Sequence, residues 1–554
     1  MTVETFFANF GHLADAPNGL QKLRELILQL AVQGKLVPQN PSDEPAWVLL
    51  KRIREHKEGV VKAGNIKKAK PTAKIKPTEE PFSLPMGWLF SRFGEITICR
   101  DGERVPLSRA VRSTRQGTYD YYGASGVIDK VDGYLFNKPL LLIGEDGANL
   151  INRSTPIAFI AEGKYWVNNH AHVLDGINFE FLKYMELFIN AIDLKPYVTG
   201  TAQPKMNQAK MNSIVVALPP LEEQKRIVAK VDQLMALCDG LEVRQQKQQQ
   251  GRELLNNAAL NALLTAEPDE FADHWQRIST NFDLLYDHPE TIAKLRAAIL
   301  QLAVQGKLVP QDPNDEPASA LLESLAKERE LLVKQKKIKK TKPPVDFQGL
   351  DELRIKLPGS WSWVRLSEVA DVVRGGSPRP AGDPRFYNGD IPFLKVADVS
   401  RAPGKMIAGF NATIKEAGLK KTRFIDKRTV LFTNSGATLG IPAICDFPAT
   451  FNDGIAAFVE LSAFVFDEYL YLYLKSLSQW FMEVASRGQG QPNLNTDIIK
   501  STWFPLPSLE EQKRVVARVD QLMALCDELE AKLNQAQQHS EKLMEATVRQ
   551  LLVA

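Results

Sequence analysis

The chain has 554 residues, 44% apolar and 24% charged, too long for one hydrophobic core and too ordinary in composition for a disordered, collagenous or disulfide-rich protein, so roughly three to four structural units are expected. No apolar run approaches the ~20 residues of a membrane span, and the opening MTVETFFANFGHLAD lacks the basic head and apolar core of a secretory signal, so a cytoplasmic protein without membrane contact is expected. The net charge of +3 permits nucleic acid as a partner without demanding it, and the scattered Cys99, Cys238, Cys445 and Cys526 suit neither a disulfide framework nor a zinc site.

In chain order, the first element is a helix over residues 20 to 33, with Leu20, Leu23, Ile27 and Leu30 on one face and Gly34 and Pro38 as its stop. It belongs to a segment, KLRELILQLAVQGKLVPQNPSDEPA (22 to 46), that recurs at 294 to 318 with 21 of 25 positions identical, where Ile292, Leu295, Ile299 and Leu302 make the same face. A Lys-rich linker follows in each copy (Lys67 to Lys76, and Lys334 to Lys342), then LPMGW or LPGSW. Next comes a domain rich in short β-like runs and Gly, Pro, Asn and Asp turns. Each half closes on a helix beginning LEEQKR, and residues 221 to 242 match 509 to 530 at 19 of 22 positions. The chain is therefore a tandem pair throughout. Six segments are expected: a helical arm and linker (1–83), a first domain (84–219), a central helix (220–266), a helical connector and linker (267–356), a second domain (357–507) and a C-terminal helix (508–554).

The closing helices carry an a/d seam, Ile227, Val231, Leu234, Cys238 and Leu241, repeated as Val515, Val519, Leu522, Cys526 and Leu529. Ser508 and Glu511 form a capping-box pattern at the second start. A lone amphipathic helix can lie on its own domain. Two near-identical seams in one chain favour pairing with each other, as an antiparallel coiled coil in a pseudo-twofold molecule. A seam-bearing helix of about 28 residues spans about 42 Å, comparable with the ~34 Å between DNA half-sites one turn apart. Near-identical helices beside divergent domains imply one partner met twice and two different targets.

The segments TAQPKMNQAKMNSIVVALPPLEEQKRIVAKVDQL, RGQGQPNLNTDIIKSTWFPLPSLEEQKRVVARVDQL and VRGGSPRP…YNGDIPFLKVADV resemble, in combination and over nearly the full chain, the specificity (S) subunits of type I restriction-modification enzymes. The resemblance implies an α+β fold, a pseudo-twofold tandem repeat of two mixed α/β target-recognition domains separated by long helices forming an antiparallel coiled coil. It implies that each domain reads one half of a split, asymmetric site in double-stranded DNA. The helices would bind two modification (M, methyltransferase) subunits, joined by two restriction (R) subunits. S-adenosylmethionine, ATP and Mg would then sit on those partners, with no cofactor on this chain. The N-terminal arm resembles that of the circularly arranged members and is expected to pack beside the C-terminal coil.

No catalytic apparatus is apparent: the QGKL segments lack the rest of a phosphate loop, no [DN]PP[YF] is present, and the His170/His172 pair lacks a third metal ligand. DNA reading needs cations for phosphates and forked donors or amides for base edges. Candidates in the first domain are Arg100, Arg104, Arg109, Arg112, Arg115, Gln116, Tyr121 and Tyr122. In the second they are Arg374, Ser377, Arg379, Arg385, Lys420, Lys421 and Arg423. Three loops recur despite the divergence: EDGAN faces NSGAT, VNNHAH faces FNDGIA, and TAQPKMN faces GQGQPNLN. They add Asn149, Asn168, Gln203, Lys205, Asn207, Asn434, Gln489, Gln491 and Asn493, although each loop's glycines also fit a purely structural role. Each arginine alone is an ordinary surface residue; clustering in loops strengthens the group. The lysine runs read as solvated linkers near phosphate. The competing reading is a coiled-coil adapter for two identical proteins that never touches DNA. Two divergent, Arg-rich domains argue against it.

Overall fold

The computed structural model describes residues 10–63, 73–200, 203–267, 269–340, 343–345, 349–486 and 493–553. It divides into two units, residues 1–249 with 535–554, and residues 250–534. The first long helix, Leu221–Thr265, and the second, Leu509–Val553, therefore each begin in one unit and end in the other. At 45 residues each, about 68 Å, they exceed the seam. The run RQQKQQQGREL that follows the first seam is rich in good helix formers, and the helix passes through Gly251 at a cost of only ~1 kcal/mol.

In the first unit the arm helix Gly19–Val32 buries Leu23, Ile27 and Leu30 in one cluster with Ile227, Val231, Leu234 and Cys238. Arg24 donates to Asp239 (2.6 Å) and Glu242 (2.8 Å) while Gln39 donates to Glu223 (2.8 Å), so arm and helix start run antiparallel. The helix end shared with this unit runs parallel to the arm: Lys22 faces Glu541 and Glu545 (3.5 and 3.6 Å), and Lys35 Nζ donates to the Leu552 carbonyl (2.8 Å). The expected packing of arm against C-terminal helix is thus present. The second unit repeats it. Ile292, Leu295, Ile299 and Leu302 of the arm helix Pro289–Val304 cluster with Val515, Val519, Leu522 and Cys526. Arg296 pairs with Asp527 and Glu530, and Lys307 Nζ donates to the carbonyls of Leu264 and Ala266. The seam is buried as its spacing predicts, with Leu241 and Leu529 at its half-buried edge. What the spacing did not reveal is the partner within each unit, which is the repeated arm helix. At roughly 1.5–3 kcal/mol per large buried side chain, this contact anchors each unit.

The repeated letters outside the seam form a joint. Gly34 and Gly306 end the arm helices at φ 70° and 71°, and a Cβ there would lie 2.5 Å from Pro85 or Pro358, so both conformation and contact require glycine. Asp43 then takes Arg226 (2.5 Å), as Asp315 takes Arg514 (2.6 Å); Gln39 meets Glu223 as Gln311 meets Glu511 (2.5 Å). Ser508 Oγ accepts from the Glu511 N–H, but the Glu511 side chain turns to Gln311 instead of closing the capping box. Burial pushes both Glu223 and Glu511 carboxyls above their usual range.

The first domain contributes strands β1 Leu89–Arg92, β2 Ile98–Cys99, β3 Gln116–Gly123, β4 Gly126–Val131, β5 Phe136–Asn137, β6 Leu140–Gly144, β7 Ala158–Ala161, β8 Lys164–Val167, β9 Ala171–Asp175 and β10 Val215–Leu218. The second contributes β11 Ser362–Arg365, β12 Asp371–Arg374, β13 Tyr387–Leu394, β14 Thr413–Ile414, β15 Arg423–Ile425, β16 Thr429–Thr433, β17 Pro442–Cys445, β18 Ala449–Phe451, β19 Ile455–Val459 and β20 Trp503–Leu506. Strand orders β2-β9-β6-β7 and β4-β3-β8-β5 in the first are matched by β12-β19-β16-β17 and β14-β13-β18-β15 in the second. Each includes one parallel pair, β3/β8 and β13/β18. An antiparallel clasp, β1/β10 or β11/β20, closes each domain where it meets the long helix.

Candidate nucleic-acid interface

In the first domain the arginine segment is less free than its letters suggest. Arg100 donates to Glu103 (2.8 Å) and Asp175 (3.4 Å). Arg112 pairs with Asp129 (2.8 Å) and lies 5.0 Å over the Tyr121 ring; Arg115 pairs with Asp132 (2.7 Å) and lies 5.0 Å over Trp166. Gln116 donates to the Arg112 carbonyl (2.9 Å) but stays exposed. Arg109 is exposed on the short helix Arg109–Thr114 and has no partner among the described residues.

Several candidates are corrected. Tyr121 is fully buried, its hydroxyl accepting from the Leu107 N–H (2.9 Å), because it sits on the inward face of β3. Tyr122 is half-buried and stacks on Phe159 at 5.7 Å, packed against the core of the sheet. Buried Asn168 accepts from the His170 N–H (2.7 Å) and shapes a turn. Asn149 spends its amide on Ser154 and Thr155. Arg104 points inward, to Glu145 (2.9 Å), Asp101 (3.3 Å) and the Ala171 carbonyl (2.7 Å).

The TAQPKMN loop keeps Gln203 and Asn207 exposed, with Asn207 Oδ1 capping the next helix through the Lys210 N–H (3.0 Å). Lys205, half exposed, reaches back to Glu145 (3.2 Å). In the second domain Asn493 is exposed in the equivalent place; Gln489 and Gln491 lie outside the described residues. Asn434 is fully buried, and neither atom of its side-chain amide has a partner among the described residues. It fills the position of Glu145, since Met206 N–H donates to the Glu145 carbonyl and Leu494 N–H to that of Asn434 (2.8 Å each).

Of the remaining second-domain candidates, Arg374, Ser377 and Arg379 gather around a residue the sequence did not single out, Asp453. It accepts from Ser377 Oγ (2.7 Å) and Arg379 (3.4 Å), and its carbonyl accepts from Arg374 Nε (2.6 Å); Arg423 Nε donates to the Arg374 carbonyl (3.3 Å). The Ser377 hydrogen bond, aided by Arg379 and Arg374, holds the Asp453 carboxyl below its usual range. Arg385 is fixed by Asp383, whose carboxyl is pushed down to about 2 by that contact. Lys421 covers the Phe386 ring at 4.4 Å, and Lys420 is exposed without a partner among the described residues. A carboxylate at the base of an arginine fork pre-orients it while leaving outer donors free, and the Arg379 and Arg385 side chains are 71% and 73% exposed. The signal for Asp453 was an acid in FNDG facing an Arg-rich loop.

Asp101, Glu145 and His172 each offer an atom within 4.8 Å of the others. Their negative charge already meets Arg104, Lys205 and His172, so they make an ion-pair network. Burial is the largest single effect and raises the Asp101 and Glu145 carboxyls, but the hydrogen bonds and charges around them, led by His172 for Asp101 and Arg104 for Glu145, together outweigh it and hold both below the usual range.

A family model described as type I restriction modification DNA specificity domain matches residues 85–249 and 358–537, one match to each domain and the start of its long helix. The chain is 32% identical over 567 residues to the type I restriction enzyme EcoAI specificity subunit of Escherichia coli, covering 95% of this chain and 93% of that one. It is 33% identical over 561 residues to the EcoEI specificity subunit of the same organism, with the same coverage. The crystal structure of the HsdS subunit from Thermoanaerobacter tengcongensis aligns over 86% of this chain and 99% of that one, at 18% identity and TM-score 0.42. Two domains of one strand order, each clasped to a repeated helix and each matched by the family model, establish that this chain belongs to the type I restriction-modification DNA specificity subunits.

Proposed function

We propose that this chain is the non-catalytic, DNA-reading subunit of a type I restriction-modification complex acting in the cytoplasm. Each recognition domain reads one half of a split, asymmetric site. The scaffold binds two modification subunits, which two restriction subunits join, and adenine methylation or cleavage belongs to those partners together with S-adenosylmethionine, ATP and Mg.

One observation carries the reading. The two domains share a strand order yet present different cations, Arg109 and Lys205 in one, Arg379, Arg385, Lys420 and Lys421 in the other, as two unlike half-sites require. The scaffold behaves oppositely. Its repeated letters include the seam and joint, and also Ala236 and Leu237, which are exposed and recur, exposed, as Ala524 and Leu525. Leucines 47% and 59% exposed in the same helical context suit two copies of one partner. Among the described residues no helix is long and apolar enough to cross a membrane.

Replacing residues 89 to 199 with another domain of this kind, then sequencing the host methylome, tests the reading. One half of the methylated target is expected to change; a change in both halves or neither refutes it. Leu237→Glu with Leu525→Glu is expected to abolish co-purification of the modification subunits while leaving helix content intact.

A further inference from the structure

Three pieces of the second domain meet at one place: the end of β12 (Arg374), the start of β15 (Arg423) and the turn at 452 to 454 between β18 and β19. Backbone bonds lock them together. Gly375 N–H donates to the Ile455 carbonyl (2.9 Å) and Gly376 N–H to that of Phe451 (3.1 Å), so the chain after Arg374 is fastened to both sides of the turn. A Cβ on Gly375 would lie 2.2 Å from the Asn452 carbonyl oxygen, so glycine is what lets the two segments run this close. Ser377 Oγ donates to the Asp453 carboxylate (2.7 Å). Arg423 faces Phe451 in the β15/β18 register, and Thr422 Oγ1 donates to the Phe451 carbonyl (2.8 Å).

On this base two arginines are tied in series. Arg374 Nε donates to the Asp453 carbonyl (2.6 Å), and Arg423 Nε donates to the Arg374 carbonyl (3.3 Å). Both residues are exposed, and their Nη atoms have no hydrogen-bond partner among the described residues. The acceptors are neutral, whereas Arg100, Arg112 and Arg115 of the first domain spend Nε on the carboxylates of Glu103, Asp129 and Asp132. A carbonyl fixes the plane of a guanidinium and leaves its charge whole. With Nε occupied, the terminal Nη pair is the fork that remains, and it matches O6 and N7 of guanine in the major groove. A phosphate gains less from a fixed plane, because a swinging cation such as the exposed Lys420 serves it as a point charge. The first domain is built otherwise at this place. His172 pairs with Ile143 in β6/β9 as Ala456 pairs with Phe432 in β16/β19; Arg374 faces Ala456, but Asp101 lies against His172 (2.6 Å).

We propose that Arg374 and Arg423 are specificity-determining residues, each seating its terminal fork on a guanine, so that the half-site read by the second domain holds two guanines. The proposal rests on the DNA-reading function above and names bases for one half of the target.

The test uses the full chain assembled with its modification subunits and the target found by methylome sequencing. The half of that target that survives replacement of residues 89 to 199 belongs to the second domain, and it is expected to hold guanine at two or more positions, on either strand. Duplexes are then made with 7-deazaguanine, which lacks the N7 acceptor, at one guanine at a time. The wild type is expected to bind about tenfold more weakly when either of two such positions is changed. Arg374→Gln is expected to remove that penalty at one position and Arg423→Gln at the other, while each variant discriminates as the wild type does in the other half-site. Unchanged hydrogen-exchange protection of β12 and β18 checks that the variants are folded. A surviving half with fewer than two guanines overturns the proposal, and so does a wild type indifferent to every 7-deazaguanine, whatever the variants do. Variants that weaken binding to target and scrambled duplexes by one factor, and keep the 7-deazaguanine penalties, mark phosphate contacts and overturn it too. A wild type that binds target and scrambled duplexes alike overturns the DNA-reading function as well.

Discussion

The two recognition domains solve one problem with opposite chemistry. Beneath the loop that follows β6, the first domain places Glu145 in a network with Arg104, Asp101, His172 and Lys205. Beneath the equivalent loop after β16, the second places Asn434, buried and with its amide unpartnered among the described residues, and puts its charges outside on Asp453 and Asp383. The strand order is indifferent to this choice. Architecture and charge placement are therefore separable: the sheets carry the fold, and the loop supports are free to differ with what each domain must recognise.

The largest expected effect comes from breaking the charged network. Glu145→Leu leaves Lys205 without its carboxylate and Arg104 with Asp101 alone, and is expected to destabilise the first domain by ~3–5 kcal/mol, seen as lost hydrogen-exchange protection of β6 and β9. The matching Asn434→Leu removes an amide without a partner among the described residues and is expected to stabilise the second domain by ~1–3 kcal/mol in the same measurement. If both substitutions destabilised alike, the contrast between the domains would be lost.

Acid sharpens the comparison. The folded-state carboxyls of Asp101 and Glu145 are depressed, so their contribution is fully present above the ordinary carboxylate range, near pH 4, and is lost as pH falls through the lowered values. Hydrogen exchange is expected to show β6 and β9 losing protection below about pH 4, and Asp101→Asn to remove part of that acid limb. The joint has the opposite sign. Glu223 and Glu511 have raised carboxyls, so protonation as pH falls through those values favours the folded state, equally in both halves. Tyr121→Phe is expected to cost about 1 kcal/mol in the first domain, through the Leu107 N–H left without its acceptor, and to leave the DNA sequence read unchanged. Smallest is Arg109→Ala, within about 0.5 kcal/mol in stability. It is expected to weaken DNA binding evenly across sequences and to lower the salt slope by about 1.

The scaffold was legible in the letters because helices repeat at 3.6 residues and the chain prints its helices twice. Leu20 to Leu30 and Ile227 to Cys238 announce buried faces, and both faces are buried. Their mutual partnership was not legible, since an apolar stripe does not say which stripe it meets. Strand order was hidden for a similar reason: β2, β5 and β14 are two residues long, and the parallel β3/β8 pair joins segments far apart in the chain. At the interface, residue type misled wherever burial decides. Tyr121 and Asn434 are chemically fit to touch a base and sit inside, whereas Asp453, of the wrong charge for DNA, organises the cations that do face out. Polar identity reveals what a side chain can bond, not which side of a strand it occupies.

The joint of Gln39, Asp43, Glu223 and Arg226, repeated as Gln311, Asp315, Glu511 and Arg514, has a consequence for inheritance. Recombination between the two copies of LQLAVQGKLVPQ would excise one arm-to-helix stretch and leave a gene encoding one arm, one domain and one long helix. Every arm would still find the start of its own helix, but the helix end that lies parallel to it would have to come from a sibling molecule. Two such half-length proteins would complete each other, and their shared target would be a palindrome.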